Sequence, residues 1–203
     1  MMGVNETCAM AVLRRPSLSR GARRSAARLA SLLFALLALV VAFPCSAARA
    51  FTPSTTYLEY GGAVLTAYPF TMACWFNVAN ITGDHYLMSI ADVSTGTNWW
   101  ALVAFGSVAG DPVSLASRSG GSTNFANTST GFSASTWTHA CGVGTSATSR
   151  NSYINGGSVG SNTTSSTPAG LDNTGIGQVH TSGGHIGIPL GSEIGRASCR
   201  ERV

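Results

Sequence analysis

From residue 51 onward, short apolar runs alternate with stretches of Gly, Ser, Thr, Asn and Asp. Phe51 to Glu59 reads as a first strand with Tyr57 turned inward, and Gly61-Gly62 reads as the turn after it. Phe70 to Phe76 is almost wholly apolar, which predicts a central strand covered on both faces. His85 to Ile90 and Trp99 to Phe105 predict two further strands, and Val113 to Ala116 a weaker one. The polar stretch from Gly120 to Ser135 has room for one short strand near Asn124 to Asn127.

The most informative segment is Ser135 to Gly157. Trp137, His139, Cys141 and Val143 fall on one side of an extended chain, and Thr138, Ala140 and Gly142 on the other. The larger set is expected to face the interior, with Trp137 and the earlier Trp75 as core residues. Asn151 to Ile154 is a second short run, and Asn155-Gly156 supplies the positive φ angles of a tight reversal before a third run, Ser158 to Thr163. Short strands at even spacing, turn residues between them and no heptads predict an all-β, two-sheet antiparallel sandwich.

Four ordered motifs carry a resemblance. They are Phe51-x-x-Ser54-x-x-Tyr57-Leu58, Pro69-Phe70-Thr71-Met72-x-x-Trp75-Phe76, Trp137-x-His139-Ala140 and Arg150-x-x-Tyr153-Ile154-Asn155-Gly156. Together they resemble the laminin-G-like (concanavalin A-like) jelly-roll family, over roughly residues 51 to 178. The resemblance implies a jelly roll whose rim loops bind glycans or surface proteins, or else a spacer domain of a larger surface or virion protein, or an accessory domain of a longer enzyme. It also implies a closing strand of the type F-x-G-x-I-x-E, which the sequence lacks. Residues 193–203 instead bring three Arg, two Glu and a Cys after a nearly uncharged domain. They read like an in-frame translation of a common sequencing adapter. The expected organisation is a leader over 1–50, a jelly roll over 51–192 without its last strand, and a non-biological tail over 193–203.

The leader is Arg-rich, then apolar from Leu29 to Phe43, then broken by Pro44 and followed by Ala48-Arg49-Ala50. That order is the pattern of a secretory signal peptide, a helix outside the domain, cleaved after Ala50. The apolar run is shorter than the ~20 residues of a spanning helix. An uncleaved anchor is the alternative, and the leader is then the chain's membrane contact. Either way the expectation is a secreted or cell-surface protein.

Charge changes the picture once the ends are set aside. The formal net charge is +4, but ten of the twelve basic residues lie before residue 51 or after residue 192. Between them Arg118 and Arg150 face Glu59, Asp84, Asp92, Asp111 and Asp172, a net of −3. Such a domain lacks the basic footprint of a nucleic-acid binder.

Candidate chemistry is sparse. Nothing reads as a strand-to-helix nucleophile elbow, and the domain's one Glu, Glu59, cannot form the E-x-D-x-x-E strand by which some enzymes with this sandwich hydrolyse glycans. No catalytic residue and no enzyme activity are expected. His139 is expected to pack at the core edge and His85 at a strand start, while the spacing of His180 and His185 matches no metal motif. Calcium is the cofactor the resemblance raises, with Asp84, Asp92, Asn98 and Asp111 as candidate oxygen donors. Trp99 and Trp100 point to opposite faces, so one of them beside Asn98 is a candidate sugar platform, against the alternative that both are covered. Cys74 and Cys141 are a candidate disulfide, against the alternative of two buried free thiols.

Overall fold

The computed structural model describes residues 48–51, 56–187 and 192–201, and every regular element among them is a strand. In chain order these are β1 (Arg49–Phe51), β2 (Leu58–Tyr60), β3 (Phe70–Val78), β4 (Asp84–Ala91), β5 (Trp99–Phe105), β6 (Pro112–Ser119) and β7 (Ser122–Gly131). They continue with β8 (Thr138–Ser146), β9 (Ser149–Ile154), β10 (Gly157–Asn162), β11 (Asn173–Ile176), β12 (Val179–Thr181), β13 (Gly184–Ile186) and β14 (Ser192–Glu201). The expected leader lies outside the described residues as far as residue 47, and the bond after Ala50 falls within β1. No helix among the described residues is long and apolar enough to cross a membrane.

The first sheet runs β1-β14-β3-β8-β9-β10 and the second runs β2-β11-β4-β5-β6-β7, while β12 and β13 form a separate hairpin. The pairings are antiparallel. This is the two-sheet jelly-roll sandwich that the sequence predicts. Its interior is filled from the first sheet by Phe70, Met72, Cys74, Phe76 and Val78 of β3, and from the second by Leu87, Ile90, Trp100, Leu102 and Leu115. On β3 these interior residues recur at every second position, because only that face of the strand meets the facing sheet.

Three strand-level expectations change. The stretch read as one first strand supplies two, because Phe51 ends β1 of the first sheet and Leu58 opens β2 of the second. Tyr57 is half-buried against His185 rather than anchored in the core. The strand covered on both faces is β5, whose seven residues are all buried. On β3, by contrast, Trp75 stands 47% exposed. The difference arises because the outer face of the second sheet carries its own apolar cluster of Trp99, Ala101, Val103 and Phe105, which Val179 of β12 joins.

On β8 the faces are reversed from the expectation. Thr138, Ala140, Gly142 and Gly144 are buried, and His139, Cys141 and Val143 are only partly so. The interior has no room for large side chains there. A methyl group on Gly142 would stand 3.0 Å from Leu115, and one on Gly144 would stand 2.6 Å from the Phe70 ring. Small residues face in, so Trp137 and its alternating partners face out.

The closing position, expected to stand empty, is filled. β14 pairs with β3 on one side and β1 on the other, with a register shift between Ile194 and Ala197. Ile194 is buried, and Ala197 and Cys199 pack on the core. The remaining specificity is backbone pairing, which reads geometry rather than sequence.

Candidate functional site

The tryptophans of β5 do not form a platform. Trp99 is 3% exposed and Trp100 is 1% exposed, one on each face of a doubly covered strand. Asn98 is spent locally, accepting the Gly120 N–H through its side-chain oxygen at 3.1 Å. Trp100 does border a cleft of about 210 Å³ with Thr66, Ala67, Tyr68, Thr167 and Pro168. Its Nε1 donates to the Tyr68 hydroxyl at 3.3 Å, and Tyr68 donates to the Ser166 carbonyl at 3.0 Å. The cleft is smaller than the ~300–1,000 Å³ of ordinary small-molecule sites.

The calcium candidates do not converge. Asp84 and Asp111 lie at the end of the second sheet where β4 begins and β5 finishes, while Asp92 and Asn98 lie at the opposite end. Asp84 accepts from the Ser107 N–H and hydroxyl. Asp92 accepts from Ser94 and Thr95, and those hydrogen bonds hold its carboxyl below the usual range despite the opposing effect of burial. Asp111 sits at φ 48° in the turn before β6. All four are turn-formers, the ordinary use of Asp and Asn in such loops.

Cys74 and Cys141 are not bonded. In the β3–β8 register Cys74 lies opposite Ala140, and Cys141 lies opposite Ala73. The two side chains therefore leave opposite faces of one sheet, which rules out the bridge. Burial pushes the Cys74 thiol far up and that of Cys199 to about 12, so both behave as small apolar groups.

The outer face of the first sheet gathers what the sequence reading sent to the core. Trp75 on β3 lies directly across from His139 on β8, with ring centroids 5.2 Å apart. Trp137 precedes β8 and is 42% exposed. A methyl group on Gly195 would stand 3.4 Å from the Trp137 ring and 3.5 Å from Trp75 Cβ, so both side chains flank the same point of β14. Beside this ridge the Asn155 side-chain oxygen accepts the His139 backbone N–H at 2.9 Å, while the Asn155 backbone N–H donates to the His139 carbonyl at 2.9 Å. Asn155 and Gly156 carry φ of 50° and 79°, as the sequence predicts for this reversal. Two large aromatics left this exposed on a folded sheet are the informative exception to burial. The signal in the sequence was the alternate set on β8, whose small residues suit a crowded interior.

A second cluster was not legible at all. Glu59 on β2, His180 on β12 and His185 on β13 bring one donor atom each within 4.8 Å of one another. Glu59 Oε1 accepts from His180 Nδ1 and, at 2.6 Å, from Asn173 Nδ2. Gln178 Nε2 lies 3.5 Å from Glu59 Oε2, and the Tyr57 hydroxyl lies 3.0 Å from His185 Nε2. Partial burial works to raise the Glu59 pKa, but the hydrogen bonds from His180 and Asn173 and the charge of the two imidazoles outweigh it. The carboxyl therefore titrates below its usual range. It is an anchored carboxylate facing two imidazoles, with Glu59 and His180 121 positions apart in the chain.

Comparison places this geometry among known folds. The sequence profile of the concanavalin A-like lectin/glucanases superfamily matches residues 52–184. A search of curated protein sequences gives no match. Mouse laminin α1 chain domains LG4-5 superpose with a TM-score of 0.61 at 12% identity, covering 77% of this chain and 42% of that one. The CBM40 of the Ruminococcus gnavus IT-sialidase, bound to α2,3 sialyllactose, superposes at 0.57 with 14% identity, covering 73% and 91%. Domain 4 of AbnA, a GH43 extracellular arabinanase from Geobacillus stearothermophilus in complex with arabinotriose, superposes at 0.55 with 17% identity, covering 76% and 82%.

Proposed function

The chain belongs to the concanavalin A-like lectin/glucanases superfamily, and on that premise we propose that it is an exported, non-catalytic module that binds glycans through the Trp75–His139–Trp137 ridge. The observation that carries this reading is the pair of indoles left 47% and 42% exposed side by side on one sheet face. An indole offers a flat apolar surface to the axial C–H face of a sugar ring, and neighbouring polar groups can read the hydroxyls. The His139 ring, packed on Trp75, is the neighbouring polar group.

A glycan array probed with the full chain tests it. Trp75→Ala and Trp137→Ala should each weaken binding to the retained glycans by about 30-fold, as expected when a central tryptophan worth ~2 kcal/mol is removed. Neither change should alter the fold, because both side chains are largely outside the core. Binding undiminished in the double variant would reject the ridge as the site.

A second reading has one observation in its favour. Two of the superposed structures are a domain of an extracellular arabinanase and the CBM40 of a sialidase. The chain would then be the accessory domain of a longer enzyme. The secretory leader over 1–50, cleaved after Ala50, and the adapter origin of residues 193–203 are part of the proposal under either reading. Reading the locus across residue 193 from independent DNA distinguishes a native tail from an acquired one.

A further inference from the structure

We propose that Glu59, His180 and His185 form a zinc-type divalent metal site that clips the β12–β13 hairpin to the edge strand β2. His180 and His185 are directly opposite each other in the hairpin register, so both side chains leave the same face. Their ring centroids are 4.2 Å apart. Glu59 reaches them from another strand, and the three donor atoms already lie within 4.8 Å. Ligands at zinc distances of ~2.0–2.2 Å sit about 3.3 Å from one another in a tetrahedral site. Closing the gap takes side-chain rotations of about an ångström, which the quarter-exposed side chains of Glu59 and His180 can make.

The surroundings are those of a metal site rather than of a lone ion pair. Metal-binding carboxylates are oriented by outer hydrogen bonds, and here Asn173 and Gln178 both direct amide N–H groups at Glu59. The Tyr57 hydroxyl fixes the other side of the cluster at His185 Nε2. If Nε2–H donates to that hydroxyl, the lone pair of a neutral imidazole is on Nδ1. Among the described residues, His185 Nδ1 is buried and finds no hydrogen-bond partner, and the same holds for the side-chain oxygens of Asn173 and Gln178. Orphaned buried polar atoms are rare, and three of them around one His₂Glu group mark a place where a charge or donor is missing.

The donor set selects the metal. Two imidazoles and one carboxylate suit Zn²⁺, with Cu²⁺ and Ni²⁺ as competitors. Calcium asks for six to eight oxygens and does not fit. Three protein ligands leave a fourth position for water or for an oxygen of a bound molecule. This site stands apart from the tryptophan ridge, which belongs to the other sheet.

The test is calorimetric titration of the tag-free, chelator-treated full chain with ZnCl₂, together with visible absorption on adding Co²⁺. The wild-type chain should take up one equivalent of zinc and develop the Co²⁺ ligand-field bands of a low-coordinate site. His180→Ala, His185→Ala and Glu59→Gln should each weaken zinc by more than about tenfold, since even changes to outer-shell partners cost 10–100-fold. Far-UV circular dichroism confirms that each variant is folded. Should an alanine variant misfold, His180→Gln keeps the shape and a hydrogen-bonding group but supplies a poor ligand, and it should lose zinc equally. No zinc uptake by the wild-type chain, or unchanged uptake in folded His180 and His185 variants, overturns the proposal.

Discussion

Ending the chain at Gly191 should abolish its cooperative melt and leave a protein that self-associates. The cause is the place of β14 rather than its composition. It is the only described partner of β1 and covers the free side of β3, which carries five interior residues, Phe70, Met72, Cys74, Phe76 and Val78. Without it one side of β3 presents unpaired N–H and C=O groups, Phe51 loses the strand that holds it, and the strip under Ile194 opens. Each lost hydrogen bond is worth about 0.5–1.5 kcal/mol and the exposed Ile side chain about 1.5–3 kcal/mol. A whole domain has only about 5–15 kcal/mol in hand. A bared strand of this length is also a template for another chain. Thermal melts by circular dichroism and size-exclusion profiles of the shortened and full chains give the answer. A different strand-forming sequence over 192–201, with apolar residues at 194, 197 and 199, should restore the melt, because the slot is recognised by backbone pairing. Equal, sharp transitions in the shortened and full chains would contradict the assignment of β14.

Replacing Arg150 by alanine should cost about 2–4 kcal/mol, read as a shift of the urea midpoint at unchanged slope. Arg150 opens the Arg-x-x-Tyr-Ile-Asn-Gly motif, and its side chain is fully buried. Its guanidinium donates to the carbonyls of Ala147 and Thr164 and, at 2.8 Å, to the side-chain oxygen of Asn162. It thus fastens the β8–β9 turn and the segment after β10 to one planar group. Among the described residues no carboxylate pairs with it, so these neutral acceptors do the work of solvating the charge. Removing the guanidinium takes one hydrogen bond each from the Ala147 and Thr164 carbonyls and from the Asn162 side chain, and leaves a cavity. Arg150→Lys should recover only a minor part, because a single ammonium cannot span acceptors arranged for a planar fork. A variant as stable as the parent would show that water replaces the guanidinium at no cost.

What could be read from the sequence follows from which physical constraints are local. β5, the β8–β9–β10 meander and the Asn155-Gly156 reversal were legible because period-two patterning and positive φ are properties of a few adjacent residues. The faces of β8 were not, because both of its faces carry apolar groups. Size then argues for Trp137 and His139 inward, whereas Leu115 and Phe70 already occupy that volume. The same long-range packing put Trp75 outside. Asp84, Asp92 and Asp111 looked like ligands because a carboxylate in a loop reads the same whether it binds a cation or a backbone N–H. The Glu59–His180–His185 cluster had no local signal of any kind. It exists only because β11 sits beside β2 and the β12–β13 hairpin follows directly after it.

Glycan binding at the ridge requires that Trp75 and Trp137, and not Trp99 and Trp100, face water. Oxidation of the folded full chain by a small reagent, mapped residue by residue by mass spectrometry, reads this without any knowledge of the ligand. Rapid modification of Trp75 and Trp137 with protection of Trp99 and Trp100 is the predicted pattern. Protection of Trp75 and Trp137, or equal reaction at all four, would contradict it.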